Sequence, residues 1–238
     1  MERREVKRFY KDVSLAETGA GWTIMLDSRP LKTQGVQPQV VPTKKLAELM
    51  AAEWSEQGED IDPAAFRFRD MADYALDVIA KDPGDIAEKL IGYSETDTLC
   101  FRADPEEALF AKQQEIWEPL VKAVEAREGI RLHRVSGIVH RPQAAETRST
   151  LEARLTQLDP FTLAALDQTT SLAASLCIGL SALEADADGV ALWDAANLEE
   201  EWQADLWGRD EEAEERRARR KDDFLAAIIF AAAARATD

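Results

Sequence analysis

The side chains that most often bind metals or act as nucleophiles are few in this sequence of 238 residues. The histidines, His133 and His140, stand seven positions apart, a spacing that does not make them i,i+4 metal ligands on one helix face. The cysteines, Cys100 and Cys177, fall in different predicted elements, and nothing in their spacing connects them with the histidines. We therefore expect no metal site and no disulfide framework, and the low cysteine content fits a reducing compartment.

The sequence signatures of nucleotide-binding and serine-dependent enzymes are absent. The chain contains no GxxxxGK[ST] phosphate loop and no GxSxG elbow, and TGAGW lacks the third glycine and the helix of a dinucleotide fingerprint. Carboxylates are so numerous that a general acid–base pair could be drawn almost anywhere in the chain. No cofactor is expected, while a small-molecule hydrolase or lyase with paired carboxylates remains an alternative.

The segment LEEEWQADLWG, residues 198–208, places Trp202 and Trp207 in an acidic setting. At 100° per residue, a helix over residues 189–208 puts Leu198 and Trp202 on one apolar stripe and Trp207 on a second, nearly opposite stripe. Two opposed stripes indicate a helix that is either sandwiched between other elements or offers one stripe to a partner. Core packing of both indoles is the simpler alternative.

Glu199 borders the stripe that contains Leu198 and Trp202. A carboxylate at that position is either a solvated flank or a group held beside apolar surface. In the second case it can accept an arginine or a backbone N–H of another chain, as many interface hot spots do. Helical geometry leaves this choice open.

The chain carries 29 basic and 46 acidic residues, which gives a formal net charge of −17. A field of this sign repels phosphate backbones and anionic lipids, so we expect no binding to nucleic acid or to a membrane surface. Solubility is the ordinary reason for such a charge, and steering of a cationic protein partner is the alternative. The longest apolar run, residues 224–234, is too short to span a bilayer, so no membrane insertion is expected.

The first ten residues, MERREVKRFY, lack the apolar core of a secretory signal. Glu2 and Glu5 also count against a transit peptide, because such peptides are poor in acids. We therefore expect a cytoplasmic protein if the source is bacterial, and a protein of the mitochondrial matrix if it is eukaryotic.

Short β-type runs fill the first forty-odd residues, with turns at residues 19–21 and 27–30. They predict a small antiparallel meander, which is stable only if it packs against another element. Thr43 is a predicted N-cap, and after it the apolar residues recur at the spacing of an α-helix. The predicted helices cover residues 43–58, a segment from 62, 85–94, 105–127, 144–158, 160–184, 189–208 and 210–235, with a short strand within 130–135.

This order of elements predicts the α+β fold class. The N-terminal antiparallel β domain is expected over residues 1–42, docked on a larger all-helical domain over residues 43–238. No internal repeat or low-complexity linker interrupts the helical part.

Several short blocks occur in a fixed order along nearly the whole chain. They are KRFYK with Val13, GW through LD to RPLKT (21–33), VPT (41–43), AAEW with Gln57, IDP (61–63), ETD with LC and RA (95–103), Gln114 with WEPL (117–120), and the segment 198–208. Each block alone is weak evidence of kinship. Because all of them occur in the same order, the chain resembles the assembly chaperones of the F-type ATP synthase. These chaperones receive the unassembled α subunit of the catalytic head. The chain departs from that pattern at residues 66–69, at Thr98 and in the highly charged residues 211–220.

The resemblance implies a β domain followed by a helical domain, and a chaperone that catalyses no reaction. The absence of a phosphate loop indicates that it acts without ATP, and we expect it to work as a monomer. Its implied partner is the α subunit, which it holds until a β subunit replaces the chaperone. The family's important acidic residue maps to Glu199 or Glu201, of which we favour Glu199 because it flanks the Leu198–Trp202 stripe. The full set of predicted partner-binding residues is Glu199, Glu201, Trp202, Gln203, Trp207 and Gly208. A generic acidic adaptor without any link to the synthase is a further alternative.

Overall fold

The computed structural model describes residues 6–137 and 141–237. Its strands are β1 (Val6–Lys7), β2 (Val13–Thr18), β3 (Gly21–Leu26), β4 (Arg29–Pro30), β5 (Asp60–Ile61), β6 (Phe101–Arg102) and β7 (Val135–Ser136). Its α-helices are α1 (Lys44–Ser55), α2 (Arg67–Tyr74), α3 (Pro83–Glu95), α4 (Ala108–Glu128), α5 (Ala145–Leu155), α6 (Pro160–Ala173), α7 (Leu176–Ala182), α8 (Gly189–Ala196), α9 (Leu198–Trp207) and α10 (Glu211–Ala234). Strands thus concentrate near the N-terminus and helices dominate the rest, which confirms the α+β class. In the described ranges, no helix combines the length and apolar character needed to cross a membrane.

The N-terminal meander is an antiparallel sheet in the order β2-β3-β4. Gly21, at the first turn, has φ +138, and a Cβ there would lie 2.3 Å from the carbonyl oxygen of Val41. Only glycine fits this close approach, which lets Trp22 and Val41 exchange two backbone hydrogen bonds of 2.8 Å. Asp27 takes the left-handed conformation, φ 54, at the second turn. The two turns predicted from the sequence are therefore both present.

Helix α1 supplies the support that so small a sheet requires. Its N-cap is Thr43, whose Oγ1 accepts the backbone N–H of Leu46 at 3.1 Å, as predicted. Leu46, Met50 and Trp54 are buried, and α1 packs against β2 and β3. Burial of this apolar face is the main favourable term that holds the sheet to the helix.

The chain forms two compact units. The first contains the described residues of Met1–Asp82, Pro160–Ala165 and Ile229–Asp238; the second contains those of Pro83–Asp159 and Leu166–Ile228. The first unit contains strands β1–β5 and helices α1 and α2. A π-helical turn at Ala75–Ile79 follows α2. A domain boundary between residues 42 and 43 stays a prediction, since that point marks only the change from strands to helices.

The second unit is built around α4, which ends where Gly129 takes φ 69 and donates its N–H to Glu125. Two stretches differ from the predictions. The strand expected within residues 130–135 is β7, which starts only at Val135 and pairs in parallel with β6. The helix predicted over residues 160–184 is two helices, α6 and α7, because Ala174 has φ 48 and the Ser175 side chain begins α7 as its N-cap.

Candidate docking surface

The segment that contains the predicted docking residues is not one helix. The structure breaks the predicted helix 189–208 at Asn197, which has φ −102 and ψ 16, into α8 and α9. Both the backbone N–H and the side-chain amide of Asn197 donate to the carbonyl of Trp193, at 3.1 and 2.8 Å. Asn197 therefore closes α8, and the prediction of a continuous helix is wrong.

The break also changes how the apolar residues are exposed. Trp193 and Leu198 are buried, and Trp202 is half-buried. At the end of α9, in contrast, Leu206 is 61% exposed and Trp207 is 80% exposed. The two stripes are thus not opposed faces of one sandwiched helix. The first half of the segment packs inside the unit, while the end of α9 presents Leu206 and the large indole of Trp207 to solvent.

Glu199 lies half-buried at the start of α9. Its Oε1 accepts a hydrogen bond of 2.6 Å from the Nε2 of Gln113, a buried residue of α4. Desolvation raises the pKa of the Glu199 carboxyl, and the bond from Gln113 partly offsets this rise. Glu199 is therefore a positioned carboxylate and not a freely solvated flank.

Gln113 is held in turn by a buried polar network. Its side-chain oxygen accepts the N–H of Ala103 at 2.8 Å, and its backbone carbonyl accepts Nη1 of Arg102 at 3.0 Å. Arg102, also buried, donates as well to Glu118 at 3.3 Å, and Glu118 is bonded to Arg134 at 3.1 Å. Groups satisfied in this way fix the orientation of Gln113, and through it that of Glu199.

Trp117 fixes the helix that precedes the site. Its ring is fully buried, and its Nε1–H donates to the carbonyl of Ala195, near the end of α8, at 2.7 Å. Sequence reasoning assigned neither Trp117 nor Gln113 to the site, and it matched the neighbouring Gln114 to the family pattern. The Arg102 and Trp117 blocks were nevertheless visible in the sequence, as parts of RA and WEPL.

Glu201 has a different environment from Glu199. Its carboxylate accepts a hydrogen bond of 2.7 Å from Arg209 and pairs with Arg217 of α10. Both oxygens of Glu201 are thus engaged inside the chain. The pairs join α9 to the loop and the helix that follow it, which is a structural role.

The remaining predicted residues lie on the exposed end of α9. Gln203 is exposed, and Gly208 closes the helix with φ 98, donating its N–H to Ala204 at 2.9 Å. The structure therefore brings Trp207 and Gly208 together at the end of the helix and leaves Glu199 at its start.

A groove lined by residues of α4 and α8 lies in the same unit, with a volume of about 450 Å³. Its floor is apolar and its rim is mainly acidic. The apolar residues are Ile116, Pro119, Leu120, Ala123, Ala191, Leu192 and Ala195, and the acids are Glu115, Glu184, Asp186 and Asp188. Apolar floors with polar rims are typical of surfaces that bind other proteins.

The two cysteines are closer than the sequence suggested. Cys100 and Cys177, both free thiols, lie in a buried cluster with Asp97, in which the sulfur and carboxylate atoms are within 4.8 Å of one another. These three side chains could hold a metal ion. The Asp97 carboxylate already accepts hydrogen bonds from the N–H groups of Leu99 and Cys177 and from the Ser175 hydroxyl. His133 bonds to the Pro142 carbonyl instead, and His140 lies outside the described residues.

Comparison with known proteins places these features in a family. Residues 7–125 match the family model described as ATP12 chaperone protein. The chain is 26% identical over 219 residues to the mitochondrial protein atp12 of Schizosaccharomyces pombe, covering 87% of this chain and 75% of that protein.

Two crystal structures share the fold over nearly the whole chain. Atp12 from Paracoccus denitrificans is 35% identical with a TM-score of 0.90, covering 96% of this chain and 98% of that one. The Atu1473 protein from Agrobacterium tumefaciens is 38% identical with a TM-score of 0.91, covering 97% and 87%. The family model alone spans half of the sequence, and the resemblance drawn from the short blocks is confirmed. The chain belongs to the ATP12 chaperone family, the assembly chaperones of ATP synthase.

Proposed function

We propose that this protein is an ATP-independent chaperone that binds the unassembled α subunit of the F-type ATP synthase catalytic head and promotes assembly of the α/β hexamer. It works in the bacterial cytoplasm, or in the mitochondrial matrix if the source is eukaryotic. It acts as a monomer, uses no cofactor and catalyses no reaction. An unassembled α subunit exposes surface that its β neighbours will later cover, and apolar patches of that kind aggregate.

The observation that carries this proposal is the pairing, on α9, of a positioned carboxylate with an exposed indole. Glu199 is held by Gln113, and the indole of Trp207 is 80% exposed. Tryptophan is enriched among the residues that dominate binding energy, and Glu199, at the other end of the same helix, is positioned to accept a donor from a partner. A contact of about 1,600 Å² around these residues is sufficient for a specific complex, and a β subunit with a larger interface displaces it by mass action.

The structure also bears on the choice between the two glutamates. The Glu201 carboxylate already forms ion pairs with Arg209 and Arg217. Replacement of Glu201 by lysine therefore removes two intrachain ion pairs that hold α9 to the residues after it. Glu199 has one intrachain partner, Gln113, so its second oxygen keeps acceptor capacity for a donor of another chain. We therefore assign partner contact to Glu199, together with Trp202, Gln203, Trp207 and Gly208, and a supporting role to Glu201.

The test is size-exclusion chromatography of purified α subunit with this protein and its variants. We expect the wild-type protein to keep α soluble and co-elute with it. Glu199→Lys and Trp207→Ala should abolish co-elution while leaving the far-UV circular dichroism unchanged. Glu17→Lys, the same charge reversal at an exposed position of β2, is the matched control and should still co-elute. Full capture of α by Glu199→Lys would remove Glu199 from the site.

A second assay addresses the alternative classes. Pull-down from native extract should enrich α without β, whereas a generic adaptor would enrich neither. A hydrolase with paired carboxylates needs acids that converge in a cleft with a raised pKa. The Glu53 and Asp97 carboxyls, whose pKa values burial raises, instead accept backbone N–H groups at Phe68 and Leu99, as helix caps do.

A further inference from the structure

The N-terminal blocks KRFYK and LDSRPLK form a pocket that the proposed client surface does not use. Residues 9–10 form one wall, and the hairpin and following residues 26–32 form the other, around a volume of about 450 Å³. This volume lies within the range of known ligand clefts. All of these residues belong to the first unit, so the pocket is a feature of that unit alone.

Phe9 is the unusual side chain of this pocket. The residues around it are fixed: Lys7 pairs with Asp60 at 2.8 Å, Arg8 donates to the Gln57 carbonyl at 2.7 Å, and the Tyr10 hydroxyl donates to the Trp54 carbonyl at 2.5 Å. Phe9 itself is 65% exposed, and its ring rests edge-on against Tyr10 with ring centroids 5.3 Å apart. An aromatic ring held in place but left in solvent is pre-organised for contact with a partner.

The opposite wall is positively charged in a protein of net charge −17. Arg29 and Lys32 line the pocket with one acid, Asp27, and both cations are exposed. Among the described residues, neither cation forms an ion pair. The Asp27 carboxylate is occupied by the backbone N–H groups of Lys11 and Asp12, each at 3.0 Å, and these bonds lower the pKa of Asp27. Asp27 therefore stays ionised, and two cations against one acid leave a net positive charge along the pocket.

We propose that this pocket docks an acidic peptide segment of a protein partner, with carboxylates on Arg29 and Lys32 and an apolar side chain against Phe9. The charge of the wall selects acids, and the exposed ring favours a peptide over a free anion because a bare phosphate leaves Phe9 uncovered. This surface lies in a different unit from Glu199 and Trp207 and goes beyond capture of the α subunit. It gives the chaperone a second recognition element of opposite charge preference.

The experiment uses the full-length ¹⁵N-labelled protein and a capped peptide of glutamates around one phenylalanine. Binding should shift the amide signals of Phe9, Ser28 and Leu31 and should weaken as salt is added. Reversing both cations, Arg29→Glu with Lys32→Glu, should weaken binding at least about tenfold, since like charges then face the peptide. Phe9→Ala should weaken it to a similar degree.

Matched controls come from the same unit. Lys45→Glu with Lys81→Glu makes the same change of net charge at exposed positions outside the pocket, and Val36→Ala removes another exposed apolar side chain; both should bind normally. Equal weakening by the control pair would show a non-specific charge effect and overturn the proposal. Shifts with inorganic phosphate but not with the peptide would overturn the assigned occupant. An absence of shifts with either probe would remove the site altogether. None of these outcomes depends on the α subunit, so the client proposal is tested separately.

Discussion

Helices α6 and α7 approach each other at Gly179 so closely that a single methyl group should be detectable in the stability of the protein. A Cβ at position 179 would lie 2.1 Å from Oγ1 of Thr170 and 3.0 Å from Cδ1 of Leu166. All three residues are buried. Thr170 has two accessible χ1 rotamers in a helix, but its Cβ would also lie 3.2 Å from the added methyl group, so rotation of the hydroxyl alone does not relieve the contact. The Gly179→Ala substitution therefore requires a shift of one helix against the other.

The magnitude follows from two opposing terms. Overpacking a buried contact costs about 1–3 kcal/mol, and a distance of 2.1 Å belongs at or above the upper end of that range. Alanine gains about 1 kcal/mol over glycine in a helix. We expect Gly179→Ala to lower the free energy of unfolding by about 2 kcal/mol, which for a chain of this size corresponds to a fall in Tm of roughly 4–8 °C.

Gly92 provides the matched control, because it lies exposed within α3 and a Cβ there would meet no atom within 4 Å. Gly92→Ala should stabilise the protein by about 1 kcal/mol. Urea unfolding, followed by far-UV circular dichroism and tryptophan fluorescence, measures both variants. Adding Thr170→Ala to Gly179→Ala should restore part of the loss, with a coupling energy above about 0.5 kcal/mol. Equal stabilisation by both glycine variants would refute the close approach of α6 and α7.

Two further predictions concern Glu53 and Thr43. Burial raises the pKa of Glu53 to about 7, although the N–H groups of Phe68 and Arg69 partly offset this. Because the folded-state pKa lies above the unfolded value of 4.5, the folded state binds this proton more tightly. Stability should fall by up to about 3 kcal/mol as pH rises from 4.5 to about 7. Urea unfolding at pH 5 and pH 8 should show this slope in the wild-type protein and its loss in Glu53→Gln; parallel slopes would contradict the assignment. Thr43→Ala removes the cap of α1 and a hydroxyl bond of 2.7 Å to the Ala233 carbonyl, and should cost about 1–2 kcal/mol by thermal unfolding. Thr18→Ala, at an exposed hydroxyl of the first turn, is its control.

Short sequence patterns correctly predicted the caps and turns whose backbone conformation is determined by neighbouring residues. The N-cap at Thr43, the turn within residues 19–21 and the end of α4, predicted at residue 127 and found at Glu128, each depend on backbone conformations that a few neighbouring residues determine. The helix predicted over residues 210–235 is α10, whose charged first turns are supported by acid-before-base pairs at i,i+4 such as Glu212–Arg216.

One of the two missed helix breaks depends on a distant residue, whereas the break at Asn197 depends on its bonds to Trp193, four positions away. Ser175 begins α7, and its hydroxyl donates a hydrogen bond to Asp97, 78 positions away. The spacing of apolar residues in the sequence carries no information about such a bond. Ala174, whose carbonyl accepts the N–H and the hydroxyl of Thr98, takes a positive φ. The apolar period continued through both helix breaks, so the sequence alone predicted single helices. The bond between Gln113 and Glu199 spans 86 positions and was equally invisible.

The carboxyl groups whose pKa values burial raises differ in how completely the chain satisfies them, and this difference supports Glu199 as the docking candidate. Asp70 and Asp73 accept hydrogen bonds from Gln34 and Gln39, and Asp70 also pairs with Arg69. Asp97 accepts three hydrogen bonds and Glu53 accepts two from backbone N–H groups, so each has a complete structural task. Glu199 accepts one, from Gln113, although desolvation raises its pKa as well. A carboxylate that is partly desolvated and retains acceptor capacity gains most from a donor supplied by another chain. The placement of that group on the same helix as an exposed indole is the physical basis for assigning α9 to partner recognition.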